Sequence, residues 1–319
     1  MKKKNLIVLV ILAGVTMAIP LGLGNSYYLN VLVFVGIHSL ITIGLSLLMG
    51  YAGQISLGQA AFFGLGAYTS GILSTKFGVS PWLALLAAIF VTGGIAFLIG
   101  APALKLKGHY LAMATLAFGY IVYIIFNQAS SLTGGPSGFG QIPRFKLGNF
   151  LFKTDVHYYY LVWILVIIAL IISLNITHSR VGRALRSIHA GELTANVMGV
   201  NTAKYKIQIF VLSAVYASVA GSLYAHFITF LNPSPFGFHF SIVLVTMVVV
   251  GGVASVWGAM IGAALLTILP EYLRAFQDYD ILIYGSILLL IMVFLPKGLF
   301  VGIFDLVKKR SSKSIGQKG

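Results

Sequence analysis

An all-α bundle of about ten membrane-spanning helices is the fold the sequence predicts, and three observations predict it. Charged residues make up 8% of the 319 positions and hydrophobic residues 59%, whereas a soluble domain carries about 25% charge. Mean hydropathy is +0.97, and the apolar runs reach the roughly 20 residues that a bilayer core demands. The 36 glycines suit helices that pack backbone against backbone in lipid.

Taken in order, the apolar runs predict spans over 6–24, 29–49, 57–74, 81–101, 109–127, 157–176, 204–229, 239–253, 256–273 and 281–300. Each is closed by glycine, proline, asparagine or charge, residues that break an apolar period. The first run follows Lys2, Lys3 and Lys4, as a signal sequence would. It is long enough to span and no small-residue cleavage motif follows it, so a retained helix is expected. The joints Gly50–Gly58 and Gly251–Gly258 are glycine-rich and almost uncharged. Each is compatible with a re-entrant or broken segment buried in protein, and their likeness hints at an internal repeat.

Charge sets the expected orientation. The net charge of +15 would suggest nucleic acid on a soluble protein, but the basic residues fall in the connections between spans. With ten spans and the N-terminus inside, 16 of the 21 lysines and arginines lie inside. Lys76, Arg144, Lys146, Lys153 and Arg274 lie outside. This is the positive-inside asymmetry of a plasma-membrane protein with both termini cytoplasmic. One membrane domain over 1–307 is expected, followed by a basic cytoplasmic tail, 308–319.

Several chemistries are excluded. The dipeptide Gly-Lys does not occur, so the chain has no P-loop for ATP. With no cysteine, disulfides and thiolate metal sites are ruled out. The six acidic residues fall in loops or at span ends, which leaves no carboxylate relay inside the membrane. His38 and His226 stand alone within spans and read as packing or hydrogen-bonding residues. No catalytic residue, metal site or cofactor is expected, and an intramembrane enzyme finds no support.

The connection 177–203 carries the most information. Val181, Leu185 and Ile188 share one helical face while Arg180, Arg183 and Arg186 share another. Gly191 ends that helix, a second short helix is expected over about 192–198, and Gly199 stops it. Asn201 or Thr202 then caps the next span. Two readings stand equal on these residues: a lipid-surface helix with arginines near anionic headgroups, or a docking helix for a cytoplasmic partner.

Elsewhere, Gln54, Ser56 and Gln59 are uncharged hydrogen-bonding groups beside Gly53 at the first glycine-rich joint. They suit either a polar path or bonds between neighbouring helices. Gly134, Gly135 and Gly138 give the outer connection 128–156 special backbone angles. That suits either a binding surface or an ordinary turn.

Five segments, in order, resemble the LivM-type permease of branched-chain amino acid ABC importers, over about residues 36–300. They are Gly50–Tyr68, Leu106–Gly119, Leu132–Gly138, Arg183–Asn201 and Gly251–Gly258. The general coupling-loop pattern of ABC permeases is matched in part: Gly199 fits and Ile209 follows ten residues later, whereas Leu193 stands where a glutamate is expected.

The resemblance implies a permease subunit of an ATP-driven importer in the bacterial cytoplasmic membrane, translocating leucine, isoleucine and valine. It implies a second, LivH-type permease, two cytoplasmic ATPases that bind the ATP, and an extracytoplasmic binding protein. Arg183, Arg186, Glu192, Ala195 and Gly199 would couple to the ATPases. Gly53, Gln54, Ser56 and Gln59 would lie on the translocation path, and Gly134, Gly135 and Gly138 on the binding-protein side. Urea, amides or other amino acids are alternative substrates, and an ion-coupled secondary carrier is the alternative mechanism.

Overall fold

The structure, a computed structural model, describes residues 3–22, 26–147, 150–152 and 154–273, with isolated positions at 285, 286, 289, 293 and 298. The tenth predicted span, apart from those positions, and the basic tail lie outside the described residues.

The architecture is all-α, and a helix occupies each of the first nine predicted spans. They are α1 (Lys3–Gly22), α2 (Ser26–Ser46, continued by a π-helical turn at Leu47–Tyr51), α3 (Gln59–Lys76), α4 (Pro81–Ala103), α5 (His109–Gln128), α7 (Asp155–His178), α10 (Thr202–Ile228), α11 (Phe238–Gly251) and α12 (Val256–Leu273). Between them lie the short helices α6 (Ser130–Thr133), α8 (Arg180–Ala190) and α9 (Glu192–Val197). Six of the described helices are long and apolar enough to cross a membrane: α2, α4, α5, α7, α10 and α12. The apolar stretch Ile7–Pro20 and helix α11 are shorter. The 14 residues of α11 reach only about 21 Å at 1.5 Å per residue.

Two helix pairs organise the bundle, and each is built from small and polar side chains. Helices α3 and α10 run parallel at very close approach. A Cβ on Gly221 would sit 2.0 Å from the Phe63 carbonyl oxygen, and one on Gly66 would sit 2.2 Å from that of Ser218. Along the same seam Gln59 Nε2 donates to Ser213 Oγ at 2.9 Å, Ser222 Oγ donates to Ser70 Oγ at 2.7 Å, and Ser70 Oγ meets His226 Nε2 at 2.8 Å.

Helix α2 lies antiparallel to α12. Thr42 Oγ1 donates to the Ala259 carbonyl and Ser46 Oγ to that of Val253, at 3.2 and 3.1 Å, and His38 Nδ1 meets Thr267 Oγ1 at 2.8 Å. Both lone histidines are therefore hydrogen-bonding residues of helix seams, as their isolation in the sequence suggested.

Helix α1 is peripheral, and one proline explains its attachment. Pro20 has no N–H to return to the carbonyl of Thr16, four residues earlier. The Tyr159 hydroxyl donates to that carbonyl at 3.0 Å, and the Tyr160 hydroxyl to the neighbouring carbonyl of Met17 at 3.2 Å. Helix α7 thus completes hydrogen bonding that α1 lacks.

The two glycine-rich joints, a π-helical end with a short loop before α3 and a tight turn between α11 and α12, lie at one end of the bundle and touch. A Cβ on Gly50 would fall 1.9 Å from the Val253 carbonyl oxygen. At the opposite end the connection 128–156 is ordered by short pairings. Strand β1 (Phe139–Gly140) lies antiparallel to β4 (Phe230–Leu231), and β2 (Lys146–Leu147) to β3 (Phe150–Leu151). His226 ties this layer to the bundle, its Nδ1 lying 2.6 Å from the Pro143 carbonyl.

Candidate functional site

The connection between α7 and α10 folds as two helices with the boundaries its residues dictate. Ser179 caps α8, its Oγ accepting from the Val181 N–H at 3.1 Å. Gly182 lets α8 lie against the last carbonyls of α7; a Cβ there would be 2.4 Å from the Thr177 oxygen. Leu185 and Ile188 are buried and Arg180 and Arg183 are exposed, so the two faces separate as the spacing requires. Arg186 turns back and donates from Nη1 to the Thr177 carbonyl at 2.9 Å. That arginine holds α8 onto α7, where orphan carbonyls at a helix C-terminus favour a cation.

Gly191 has extended backbone, φ 176°, and α9 begins directly after it. The C-terminus of α9 is a Schellman motif. The Val200 N–H reaches the Ala195 carbonyl at 3.0 Å, the Gly199 N–H reaches that of Asn196 at 2.9 Å, and Gly199 takes φ +80°. Asn201 caps α10, accepting from the Lys204 N–H at 3.0 Å. An open cleft of about 580 Å³ beside this corner is lined by Arg180, Arg183, Gly199, Asn201, Lys204 and Tyr205 among others.

Gly199 is required for its dihedral alone, since nothing lies within 4 Å of its Cβ position. A Gly199→Ala chain is expected to lose about 1–2 kcal/mol of local stability, read as faster hydrogen exchange at the Val200 amide with the bundle's melting unchanged. Gly199→Asn should lose less, because asparagine enters this region more readily.

Sequence reasoning missed the outer face of α9. Leu193, Val197 and Met198 are 74%, 87% and 80% exposed, whereas Ala195 is buried against the neighbouring helices. The i, i+4 spacing of Leu193 and Val197 is the signal that could have identified it. Glu192 does not stand free: its Oε1 lies 3.0 Å from Lys206 Nζ, and its Oε2 lies 3.9 Å from that of Lys107.

The residues at the first joint divide. Gly53 is exposed at φ +67° and abuts α8, its Cβ position 3.4 Å from the His189 ring. Gln54, Ser56 and Gln59 are buried. Gln59 is spent on Ser213 of α10, and Ser56 Oγ accepts from the Gly58 N–H at 3.4 Å. The Oε1 atoms of Gln54 and Gln59 have no hydrogen-bond partner among the described residues. Free donors at the start of α3 are met from outside it: Leu57 N–H by Thr115 Oγ1 at 3.0 Å and Ala60 N–H by Ser241 Oγ at 3.1 Å. The joint and the α7–α10 connection are therefore neighbours at the same end of the bundle.

Gly134, Gly135 and Gly138 lie at the other end with φ of +75°, +61° and +71°. A Cβ on Gly138 would meet the Leu231 carbonyl oxygen at 2.1 Å. These glycines build the rigid turn that seats β1 on β4. Among the described residues no group of histidine and acidic side chains could hold a metal ion.

Residues 27–295 match the family described as branched-chain amino acid transport system / permease component. The chain is 30% identical to the high-affinity branched-chain amino acid transport system permease protein LivM of Salmonella typhimurium, over 88% of this chain and 72% of that one. It is 31% identical to the LivM protein of Escherichia coli K12, over 82% and 67%. The LivH permease of the same strain is 27% identical, over 82% and 90%. No solved structure shows a significant match.

Proposed function

The chain belongs to the branched-chain amino acid transport permease family, and from that premise we propose that it is the LivM-type subunit of an ATP-driven importer for leucine, isoleucine and valine. It is a multi-pass membrane permease and not an enzyme. In the proposed assembly it pairs with a LivH-type permease, two ATPase subunits hydrolyse the ATP, and an extracytoplasmic binding protein delivers the amino acid. Ten spans with both termini in the cytoplasm complete the proposed topology, which the asymmetry of lysine and arginine favours.

The observation that carries the reading is the exposed apolar face of α9. On this short helix at the end of the bundle Ala195 faces inward, while Leu193, Val197 and Met198 are left uncovered by the rest of the chain. A docked ATPase would cover them, with Arg183 at the rim and Gly199 fixing the pitch of the helix. Arg186 and Ala195 hold the loop together from within. Gly53, beside α8, would be the point at which ATPase movement first meets the translocation path. The buried Oε1 atoms of Gln54 and Gln59, which have no hydrogen-bond partner among the described residues, would supply polar groups when α3 and α10 shift. Gly134, Gly135 and Gly138 would support the surface met by the binding protein.

The test is co-purification from native membranes followed by reconstitution. A second permease and two P-loop ATPases should accompany the tagged chain, and leucine uptake into proteoliposomes should require ATP at the ATPase side. Uptake by the chain alone, without nucleotide, would identify a secondary carrier instead.

A further inference from the structure

Lys206 sits in the second turn of α10 and is 1% exposed, fully buried although it is a lysine. Its Nζ donates to the Leu104 carbonyl at 2.7 Å and to Glu192 Oε1 at 3.0 Å. Leu104 is the C-cap of α4, where the last carbonyls concentrate partial negative charge. Glu192 is the first residue of α9. One ammonium group therefore joins the docking helix to the ends of two long helices. From Phe210 to His226 helix α10 is in turn packed against α3.

A buried ammonium is costly unless its partners are well placed, and a methionine would fill the same volume without that cost. Packing alone therefore does not call for lysine here. What lysine supplies is a directional tie from α9 and α10, consecutive helices, to the end of α4, whose Leu104 lies 102 residues away in the chain. The second lysine near Glu192, Lys107, is 3.9 Å away with its side chain 62% exposed, and a contact of that kind contributes little.

We propose that Lys206 is a positioning residue for energy coupling, the link through which displacement of α9 reaches α4 and α10 together. The proposal rests on the importer reading above. It also assigns Glu192 to an internal partner instead of a contact with the ATPase. Pushing α9 then moves the Leu104 end of α4 and the first turns of α10 as one body, and α3 follows α10.

The test uses the whole complex in lipid nanodiscs and proteoliposomes. The chain has no cysteine, so spin labels at Lys105→Cys and Thr194→Cys are unambiguous within it, and both positions are exposed. In the otherwise unaltered chain the distance between labels should be narrowly distributed and the same without nucleotide and after trapping with ATP and vanadate. Lys206→Met should broaden it and lower leucine taken up per ATP hydrolysed by roughly tenfold, with the ATPases still bound and active. Lys206→Arg should restore both readouts.

A narrow distribution in Lys206→Met overturns the proposal. So does a broadened distribution with unchanged uptake per ATP, which would make the link merely structural. If Lys206→Met does not fold, Glu192→Gln serves: it leaves the ammonium in place and should lower uptake per ATP in the same direction, and an unchanged ratio overturns the proposal. Failure of the importer reading shows separately, as absent ATP-driven uptake in the unsubstituted complex.

Discussion

A Gly221→Leu chain is expected to lose its folded form in the membrane. The Gly221 Cβ position lies 2.0 Å from the Phe63 oxygen and 2.8 Å from the Ala67 nitrogen. Both are backbone atoms of α3 and cannot be relieved by a rotamer change. Helices α3 and α10 would have to separate, and the seam Gln59–Ser213, Ser70–Ser222 and Ser70–His226 would open with them. Overpacking costs typically about 1–3 kcal/mol, and each interhelical hydrogen bond lost in a membrane costs about 0.6 kcal/mol. The sum, on the order of 3–5 kcal/mol, is a large part of a domain's stability. Size-exclusion of detergent-solubilised protein should show loss of the monodisperse peak. Gly94→Leu is the control, because nothing lies within 4 Å of the Gly94 Cβ position. Equal loss in both chains would show that α3 and α10 are not held at this distance.

The second large effect is on association. Replacing Leu193 and Val197 together by Asp should detach the ATPases while leaving the bundle intact, since both side chains are exposed and support nothing within the chain. Burying an apolar side chain of this size is worth about 1.5–3 kcal/mol, so the pair should cost about 3–6 kcal/mol, roughly two to four orders of magnitude in dissociation constant. Pull-down of the ATPases and ATP-driven leucine uptake should fall together, with thermal stability unchanged. Retained ATPase binding would remove α9 from the interface. Substituting exposed Leu132 by Asp at the far end should leave ATPase binding intact.

The helices were legible because a bilayer leaves the chain few choices: long apolar runs closed by glycine, proline or charge. The connection 177–203 was equally legible, since its arginines and aliphatics recur at helical spacing and Gly191, Gly199 and Asn201 mark its breaks. What was illegible depends on partners far apart in sequence. Lys206 read as one more basic residue on the inner side, because nothing near it in the chain announces Glu192 as its ion partner or the Leu104 carbonyl as its acceptor. Gln59 read either as a group lining a path or as a bond between helices, and only packing names Ser213 of α10 as the partner of its amide nitrogen. Gly50 and Val253 are two hundred residues apart, and only packing brings the joints together. The outer glycines read equally as a surface or a turn, and all three take the positive φ that special backbone angles imply.

The seam between α2 and α12 also sets a timetable for synthesis. His38 and Thr267 are separated by 229 residues, which a ribosome adding about 5–20 residues per second needs roughly 10–50 s to make. Thr42 and Ser46 wait for Ala259 and Val253 over similar intervals. For that time α2 carries polar side chains without their final acceptors, and Gly50 has no opposing turn. The nascent helix must be sheltered from hydrocarbon by the insertion machinery or by α7, which also packs on it. Slowing elongation between α10 and α12 should therefore lengthen the residence of α2 beside the insertase and raise its proteolysis before the last described helix arrives.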